Sequence, residues 1–569
     1  MSRPPAARLV GLFIIFSLAF AGVATRLVAL QVNDASEFEA LAAAQRVRRV
    51  TLPGERGIIY DRSMRELALS LPARAVYADP HVIADPRTEA SRLGEVLDLP
   101  VGELTRLLEA DDRFVYLARR VDLRVARQVE RLDIEGVGLL EESKRHYPGG
   151  PLAAHLLGFV GIDGRGLAGV ELEHHAVLEG RAGSMVVEQD PSGLAIPQGL
   201  REERAPSRGR DVVLTIDTDL QYHAERALAD AVRANGAKGG AVIVMDPATG
   251  EILAMANAPG FDANDFAAVS PDRTRNRAVT DVYEPGSVNK VITASAALEE
   301  DVIGVRERLW VPDRYQVGDK LFRDSHRHPT AAMTITDIIA QSSNVGTIMT
   351  AQRLGPETID SYMRAFGFGE ETGVGFPGEA DGILMPSDEW WTTSMGTIPI
   401  GQGIAVTPLQ MLSVYATIAA GGVRMEPRLV RGTVGPGGAF SPREANQGSR
   451  VISPRTARLV TGMLAQAVFD GTGQQAQIPG FWVAGKTGTA RKPLEGELGY
   501  SDEYVASFMG FAPAADPAIA VAAIIDEPTT VYGGIAAAPL FREVASFALA
   551  GMHVPTTERP RTPPSAKEG

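Results

Sequence analysis

The apolar pattern is longest near the N-terminus, where Leu9 to Thr25 read LVGLFIIFSLAFAGVAT without a charge. Arg3 and Arg8 precede this run and Arg26 follows it, after which LVALQV continues apolar to Val32. Seventeen helical residues reach roughly 26 Å, and a snorkelling Arg26 extends that toward a bilayer core. The pattern predicts a transmembrane anchor over 9–32. Arginines at the front put residues 1–8 in the cytoplasm and the bulk of the chain outside it. A cleaved signal peptide is the competing reading, because AGVA offers small residues for processing; the apolar sequence beyond Arg26 favours the uncleaved anchor.

Past the anchor the periods shorten. GERGIIYDRSMRELALSL predicts a strand, a polar turn and a second strand, and DLRVARQVERLDIEGVGL a helix followed by a strand. Arg and Glu dominate this region, a non-catalytic pedestal over 40–210, closed by a polar joint in SRGRDVV near 207–213. LQYHAERALADAVRANGA then has helical spacing, and GGAVIVMDPATGEILAMANAP reads as a hairpin around a Pro/Gly turn. SVNKVITASAALEE predicts a helix opened by Pro285-Gly286, TITDIIAQSSN an amphipathic helical run, and VAGKTGTA a strand. The mixture predicts an α+β domain over 211–553. The tail TTERPRTPPSAKEG, within 554–569, is polar and Pro-rich and is expected to be disordered. The chain has no internal repeat.

Composition narrows the chemistry. A chain of 569 residues exceeds one compact core, and a net charge of -14 disfavours a nucleic-acid partner. The absence of cysteine excludes disulfides, thiolate metal sites and a Cys nucleophile. Only 7 of the 56 basic residues are lysines, and lysine, unlike arginine, can give up its proton. His174-His175 diverge around a helix, and His326 and His328 could share a strand face without a third ligand, so no metal site is expected. Arg56, Asp61 and Arg62 read as an ion-pair joint between pedestal and catalytic domain. Trp390-Trp391 suit either half-buried packing or a cleft wall.

One lysine sits in EPGSVNKV. Ser287 and Lys290 form S-x-x-K, a pattern that 27 serines and 7 lysines would produce about 0.3 times by chance. On a helix, positions i and i+3 share a face, and the helix N-terminus supplies N–H groups and positive potential for an oxyanion. Two further patterns follow in order: Ser342-Ser343-Asn344 and Lys486-Thr487-Gly488. S-x-x-K, S-D-N and K-T-G together are a signature of penicillin-binding proteins and class A β-lactamases, and here the middle motif reads S-S-N. Acyl transfer needs a serine made nucleophilic by a base, and a desolvated lysine near a second cation can serve. Lys486 is a candidate for that cation and for holding a substrate carboxylate. Ser342 can relay a proton, Asn344 can offer its amide to substrate, and Gly488 can admit a peptide against the strand edge. The backbone N–H groups of Ser287 and Thr489 are candidates for the oxyanion hole.

Longer blocks carry a more specific resemblance: RGIIYDR, HYPGGPLAAHLLGFVGIDGRGLAGVELEHH, NRAVTDVYEPGSVNK, RDSHRHP, AQSSNVG, GQGIAVTPLQMLSVYATIAAGG, AGKTGTARK and VYGGIAAAPLFREV. On these the chain resembles the class B penicillin-binding proteins, most closely the division-specific peptidoglycan D,D-transpeptidases of the FtsI type. The resemblance implies an anchor helix, an elongated pedestal and a serine-β-lactamase-like transpeptidase domain, an antiparallel sheet flanked by helices. It implies attack of Ser287 on the D-Ala-D-Ala bond of a stem peptide, cross-linking at the septum, and inhibition by β-lactams. Thr487 and Thr489 would help bind the terminal carboxylate. No metal or cofactor is implied. The implied partners are an FtsW-type glycan polymerase and other division proteins, at the division site of the bacterial cytoplasmic membrane. Asn289 departs from the family pattern, where an apolar residue precedes the motif lysine; at i+2 it is expected to point away from the Ser/Lys face. An elongation-type transpeptidase, a β-lactamase-like hydrolase and an idle division scaffold are the alternatives.

Overall fold

The computed structural model describes residues 6–29, 47–52, 54–188, 201–444, 447–494, 496, 499–530 and 532–556. The helix Ala6–Val28 carries the apolar run, with large apolar side chains such as Phe13, Phe16 and Phe20 exposed. At 1.5 Å per residue its 23 residues reach about 34 Å, enough to cross a bilayer core. The Thr25 hydroxyl donates back to Ala21 O at 2.7 Å, so the polar group closest to Arg26 is satisfied within the helix. Residues 30–32 of the expected anchor, and 557–569 of the expected tail, lie outside the described residues.

The backbone divides into two units. One combines Met1–Glu55 with Gly180–Gly209 and contains an antiparallel sheet of Val47–Leu52, Gly183–Glu188 and Arg201–Arg204, with Gly183–Glu188 in the middle. The other combines Arg56–Glu179 with Arg210–Gly569. It holds most of the expected pedestal together with the expected catalytic domain.

Within this second unit the strand Glu66–Ala78 pairs with Val115–Asp122 on one side and Val137–His146 on the other. Three short helices, Pro86–Leu97, Val101–Leu108 and Leu123–Glu130, cover it and bury Leu93, Leu104, Leu108 and Val129. The first is started by Asp85, whose carboxylate accepts from Thr88 N–H, with Pro86 in the first turn. Glu171, with no exposed surface, accepts from Arg56 Nε and Arg145 Nε at 2.6 Å each. Arg56 also donates to Glu171 O and Gly164 O, and Arg145 to Gly57 O. Arg56 is therefore tied inside the pedestal, while Asp61 and Arg62 make the joint. Asp61 accepts from Thr218 Oγ1 at 2.6 Å, and Arg62 reaches Glu251, which also takes Arg428 at 2.9 Å.

The polar joint expected over 207–213 runs into a strand, Asp211–Leu214, buried along its length. It pairs in parallel with Ile59–Tyr60 and antiparallel with Val430–Val434, so one sheet continues from the pedestal into the catalytic region. The apolar VVL forms a ladder because partners flank both of its edges.

The catalytic sheet has five antiparallel strands: β1 (Gly239–Met245), β2 (Ile252–Ala258), β3 (Ala484–Pro493), β4 (Tyr500–Ala512) and β5 (Ile519–Asp526). Their order is β2-β1-β5-β4-β3, so the predicted hairpin opens the sheet and the Lys-Thr-Gly strand closes it as an edge. Strict alternation divides each central strand between two cores. Val242, Val244, Val521, Ala523 and Ile525 pack with the helices α1 (Thr218–Ala234) and α7 (Ala538–Gly551). Ala241, Ile243, Ala520, Ala522 and Ile524 face the opposite core, which holds the helices α2 (Lys290–Glu299), α3 (Ile335–Gln341), α4 (Asn344–Leu354), α5 (Pro408–Ala419) and α6 (Pro454–Phe469). Burial on both faces explains why AVIVM and IAVAAII read as continuous apolar runs. From Lys290 to Leu298 every position of α2 is buried, which makes it the central helix of the domain.

Candidate active site

Ser287 lies in a 3₁₀ turn, Gly286–Asn289, that leads directly into α2. The helix expected from Ser287 onward thus begins with a tighter turn. Gly286 has φ of +60°, a left-handed conformation suited to glycine. Three bonds hold the turn from behind: Gly286 N–H to Gly401 O at 2.9 Å, Tyr415 OH to Val288 O at 3.0 Å, and Asn289 Nδ2 to Ile398 O at 2.9 Å. Asn289 is fully buried, turned onto the 398–401 segment, and its Oδ1 has no hydrogen-bond partner.

The middle motif is a corner between two helices. Thr334 and Asp337 form a capping box that starts α3, which stops at Gln341, earlier than the run TITDIIAQSSN suggests. Ser342 then takes a left-handed conformation at φ +61°, and Ser343 caps α4 by accepting from Gly346 N–H at 2.9 Å. The corner turns Ser342 and Asn344 toward Lys290. Lys290 Nζ meets Ser342 O at 2.7 Å, Asn344 Oδ1 at 2.6 Å and Ser342 Oγ at 3.2 Å. Asn344 Nδ2 donates to Arg323 O at 3.0 Å, so the protein already engages both ends of this amide.

Lys290 has no exposed surface. Burial, reinforced by the charge of Lys486 and opposed by Asp324, holds its amine well below the ordinary lysine range. The hydrogen-bond geometry is compatible with the neutral form. Ser342 O and Asn344 Oδ1 can only accept, and a neutral amine has two N–H groups for them. Its lone pair then remains to take a proton from a hydroxyl.

Lys486, equally buried, stands on β3 with Thr472 Oγ1, Thr487 O and Thr487 Oγ1 each at 3.3 Å. Burial lowers its pKa to about 7. Thr472 and Thr487 share a hydrogen bond of 2.9 Å, and Thr489 Oγ1 accepts from Gly533 N–H at 3.1 Å. A Cβ on Gly488 would overlap Ser507 Oγ and press on Pro285 O at 3.0 Å and Val288 Cγ1 at 3.1 Å. Glycine here lets β3 close on the turn that carries Ser287.

Ser287, Ser342, Asn344, Thr487 and Thr489 line one open cleft of about 570 Å³. Thr472, Ser325, His326, Gln402 and Tyr532 complete its walls. Of these only His326 is named from sequence, as a metal ligand weighed and set aside. The family-like blocks RDSHRHP, GQGIAV and VYGGI contain Ser325, His326, Gln402 and Tyr532, and Thr472 lies outside them. A smaller cavity of about 130 Å³, between Glu284 and Ala490–Pro493, contains none of the expected site residues.

The histidines differ from expectation. His326 and His328 lie in a loop after the strand Lys320–Arg323, not on a strand, because His328 is drawn to Asp324 Oδ2 at 2.9 Å and Pro329 O at 2.8 Å. Among the described residues no three His, Asp or Glu side chains stand together as a metal site. Trp390 is half-buried with its indole N–H on Met385 O, whereas Trp391 is exposed.

Comparison with known proteins matches residues 240–546 to the penicillin binding protein transpeptidase domain and 51–214 to the penicillin-binding protein dimerisation domain. The chain is 38% identical to the penicillin-binding protein PbpB of Mycolicibacterium smegmatis, over 95% of this chain and 89% of that protein. It is 34% identical to the peptidoglycan D,D-transpeptidase FtsI of Escherichia coli, over 90% of this chain and 85% of that protein. The crystal structure of penicillin binding protein 3 from Mycobacterium tuberculosis complexed with aztreonam matches 91% of this chain and 100% of its own, with a TM-score of 0.71 and 32% identity.

Proposed function

The chain belongs to the class B penicillin-binding proteins, peptidoglycan D,D-transpeptidases of the serine type, and we propose that it cross-links septal stem peptides through an acyl-enzyme on Ser287. The observation that carries this reading is the convergence of Ser287, Ser342, Asn344 and Thr487 on one cleft, with the buried amine of Lys290 bonded to the middle motif.

In this mechanism Ser287 Oγ attacks the carbonyl of the D-Ala-D-Ala bond while its proton passes to the lone pair of Lys290 Nζ. The oxyanion is held by the backbone N–H groups of Ser287 and Thr489, at the positive end of the turn and α2. Collapse breaks the C–N bond, and Lys290 returns the proton through Ser342 Oγ to the departing D-Ala amine. An amine of a second stem peptide then attacks the ester, loses its proton along the same route, and regenerates Ser287. Lys486, with Thr487 and Thr489, holds the terminal carboxylate. β-Lactams present a similar carbonyl and carboxylate and acylate the same serine.

Intact-protein mass spectrometry after incubation with ampicillin tests the nucleophile. A single adduct is expected, mapping to the peptide that contains Ser287 and absent from Ser287→Ala; an adduct that survives in that variant overturns the assignment.

Lys486 adds a pH dependence. Its charge is present below about pH 7 and lost as pH rises through that value in the empty cleft. Non-covalent binding of a carboxylate-bearing β-lactam should therefore weaken roughly tenfold between pH 6 and pH 8. Stopped-flow separation of binding from acylation reads this directly. A methyl ester of the same drug, bound equally at both values, is the control.

Division duty, an FtsW-type partner and residence at the septum with the N-terminus inside are further parts of this proposal. The family-like blocks NRAVTDVYEPGS and SSNVG support division over elongation, and the exposed apolar helix Ala6–Val28 supports single-pass anchoring. A fluorescent fusion is expected at mid-cell in dividing cells. A purely lateral distribution would favour the elongation reading.

A further inference from the structure

Asp324 belongs to none of the three motifs, yet it organises the middle one. Its side chain, only 7% exposed, sits just after the strand Lys320–Arg323. Oδ1 accepts from Val345 N–H at 2.9 Å, and Oδ2 accepts from Ser343 Oγ at 2.8 Å. One carboxylate therefore holds the second helix of the corner by its backbone and by its cap. His328 Nε2 stands on the same Oδ2 at 2.9 Å, and His328 Nδ1 faces Pro329 O at 2.8 Å. A carboxylate and a backbone carbonyl can only accept, so both ring nitrogens must donate. This arrangement favours the imidazolium, and the hydrogen bond to Asp324, then that to Pro329 O, raise its pKa, with Asp313 adding to the anionic field.

The charges continue into the reaction centre. Two groups act on Lys290 from outside its own helix: Lys486 from β3, which favours the neutral amine, and Asp324, which favours the ammonium. An uncompensated Asp324 would work against a neutral base. His328 supplies the compensation at the carboxylate itself.

We propose that Asp324 and His328 act as a positioning pair: the carboxylate fixes the corner that receives Lys290, and the imidazolium neutralises that carboxylate so that Lys290 stays a free base. This rests on the reading of Lys290 as the base for Ser287. Neither residue touches substrate or the reacting atoms in this role.

Two substitutions in the full chain separate charge from shape. Asp324→Asn can keep every bond, with polarity reversed only at the atom that replaces Oδ2. Its Oδ1 accepts from Val345 N–H, and its amide donates to Ser343 Oγ and to a neutral His328 whose proton sits on Nδ1. His328→Gln can keep a donor on Asp324 while removing the cation. The acylation rate by ampicillin, followed against pH, is expected to show an acidic limb whose midpoint reports the coupled titration of Lys290 and Lys486. That midpoint is expected to fall by about half a unit or more in Asp324→Asn, and to rise by a similar amount in His328→Gln.

Displacements in opposite directions support the pair. Slower acylation at every pH with unmoved midpoints, or displacement in one direction for both, overturns it and leaves a purely structural contact. Thermal melts accompany each variant, and if Asp324→Asn fails to fold, the direction of the His328→Gln midpoint alone decides. A limb that persists in Lys290→Met would instead overturn the reading of Lys290 itself.

Discussion

Replacing Lys290 by methionine is expected to lower the acylation rate by about 10³-fold or more, with the chain still folded. Methionine keeps an unbranched chain in a site with no exposed surface, so packing around α2 survives. It leaves Ser342 O and Asn344 Oδ1 without the donor they share. That loss, about 1–3 kcal/mol for a buried acceptor, is offset in part because a desolvated amine is also removed. Stability and catalysis therefore separate: a small change in melting temperature beside a collapse in rate. Lys290→Arg is the sharper companion, since it restores a cation and donors but cannot lose a proton. Both variants are expected to be equally slow. Stopped-flow acylation of an arginine variant that retained a tenth of the rate would show that charge, not basicity, matters at this position.

The same experiment has a signed pH dependence. Burial and Lys486 hold the Lys290 amine well below the ordinary lysine range, so its neutral form gains as pH rises through that lowered value. The wild-type rate should climb with pH along this limb and then level. In Lys290→Met the limb should vanish, because no titrating base remains. Since Lys290 and Lys486 interact, the limb reports the pair's macroscopic titration rather than one isolated amine.

What sequence makes legible is the chemistry that side-chain type dictates. Ser287, Lys290, Ser342, Asn344 and Lys486 stand out as candidates because acyl transfer needs a nucleophile, a base, a relay and a cation. The structure brings Ser287, Ser342 and Asn344 to one cleft with Lys290 bonded to the middle motif. The hairpin of β1 and β2 can be read because two apolar runs flank a Pro/Gly turn, and the runs stay apolar because Val242 and Ile243 enter opposite cores. The corner at Ser342 cannot. Nothing within TITDIIAQSSN separates the end of a helix from a reversal into another, until Asp324, from a distant loop, binds Ser343 and Val345. Thr472 is hidden for a similar reason. It reaches Lys486 and Thr487 only because the chain after α6 passes close by, where a Cβ on Gly471 would press into Ala340 O and Ala467 O. The direction of Asn289 follows from helical geometry, but its bond to Ile398 O depends on a segment more than a hundred residues away.

Glu171 is the largest expected stability effect outside the cleft, and sequence gives no hint of it within VELEHH. Glu171→Gln is expected to cost about 3–5 kcal/mol, because it removes one anion from between two buried guanidiniums without changing the volume of the site. Arg56 would keep its bonds to Glu171 O and Gly164 O, and Arg145 its bond to Gly57 O. Their charges would still lack the carboxylate that compensates them, and Arg145 Nη2 already has no partner. A fall of roughly 10 °C in the thermal midpoint is expected. Ampicillin acylation per folded molecule should be unchanged, since Glu171 lines neither the cleft nor the turn of Ser287. Adding Arg145→Met to Glu171→Gln removes one of the orphaned cations and should recover part of the loss. The double variant should then lie above the sum of its two single effects. If the two losses simply add, the network is not coupled and the cost of Glu171→Gln has another origin.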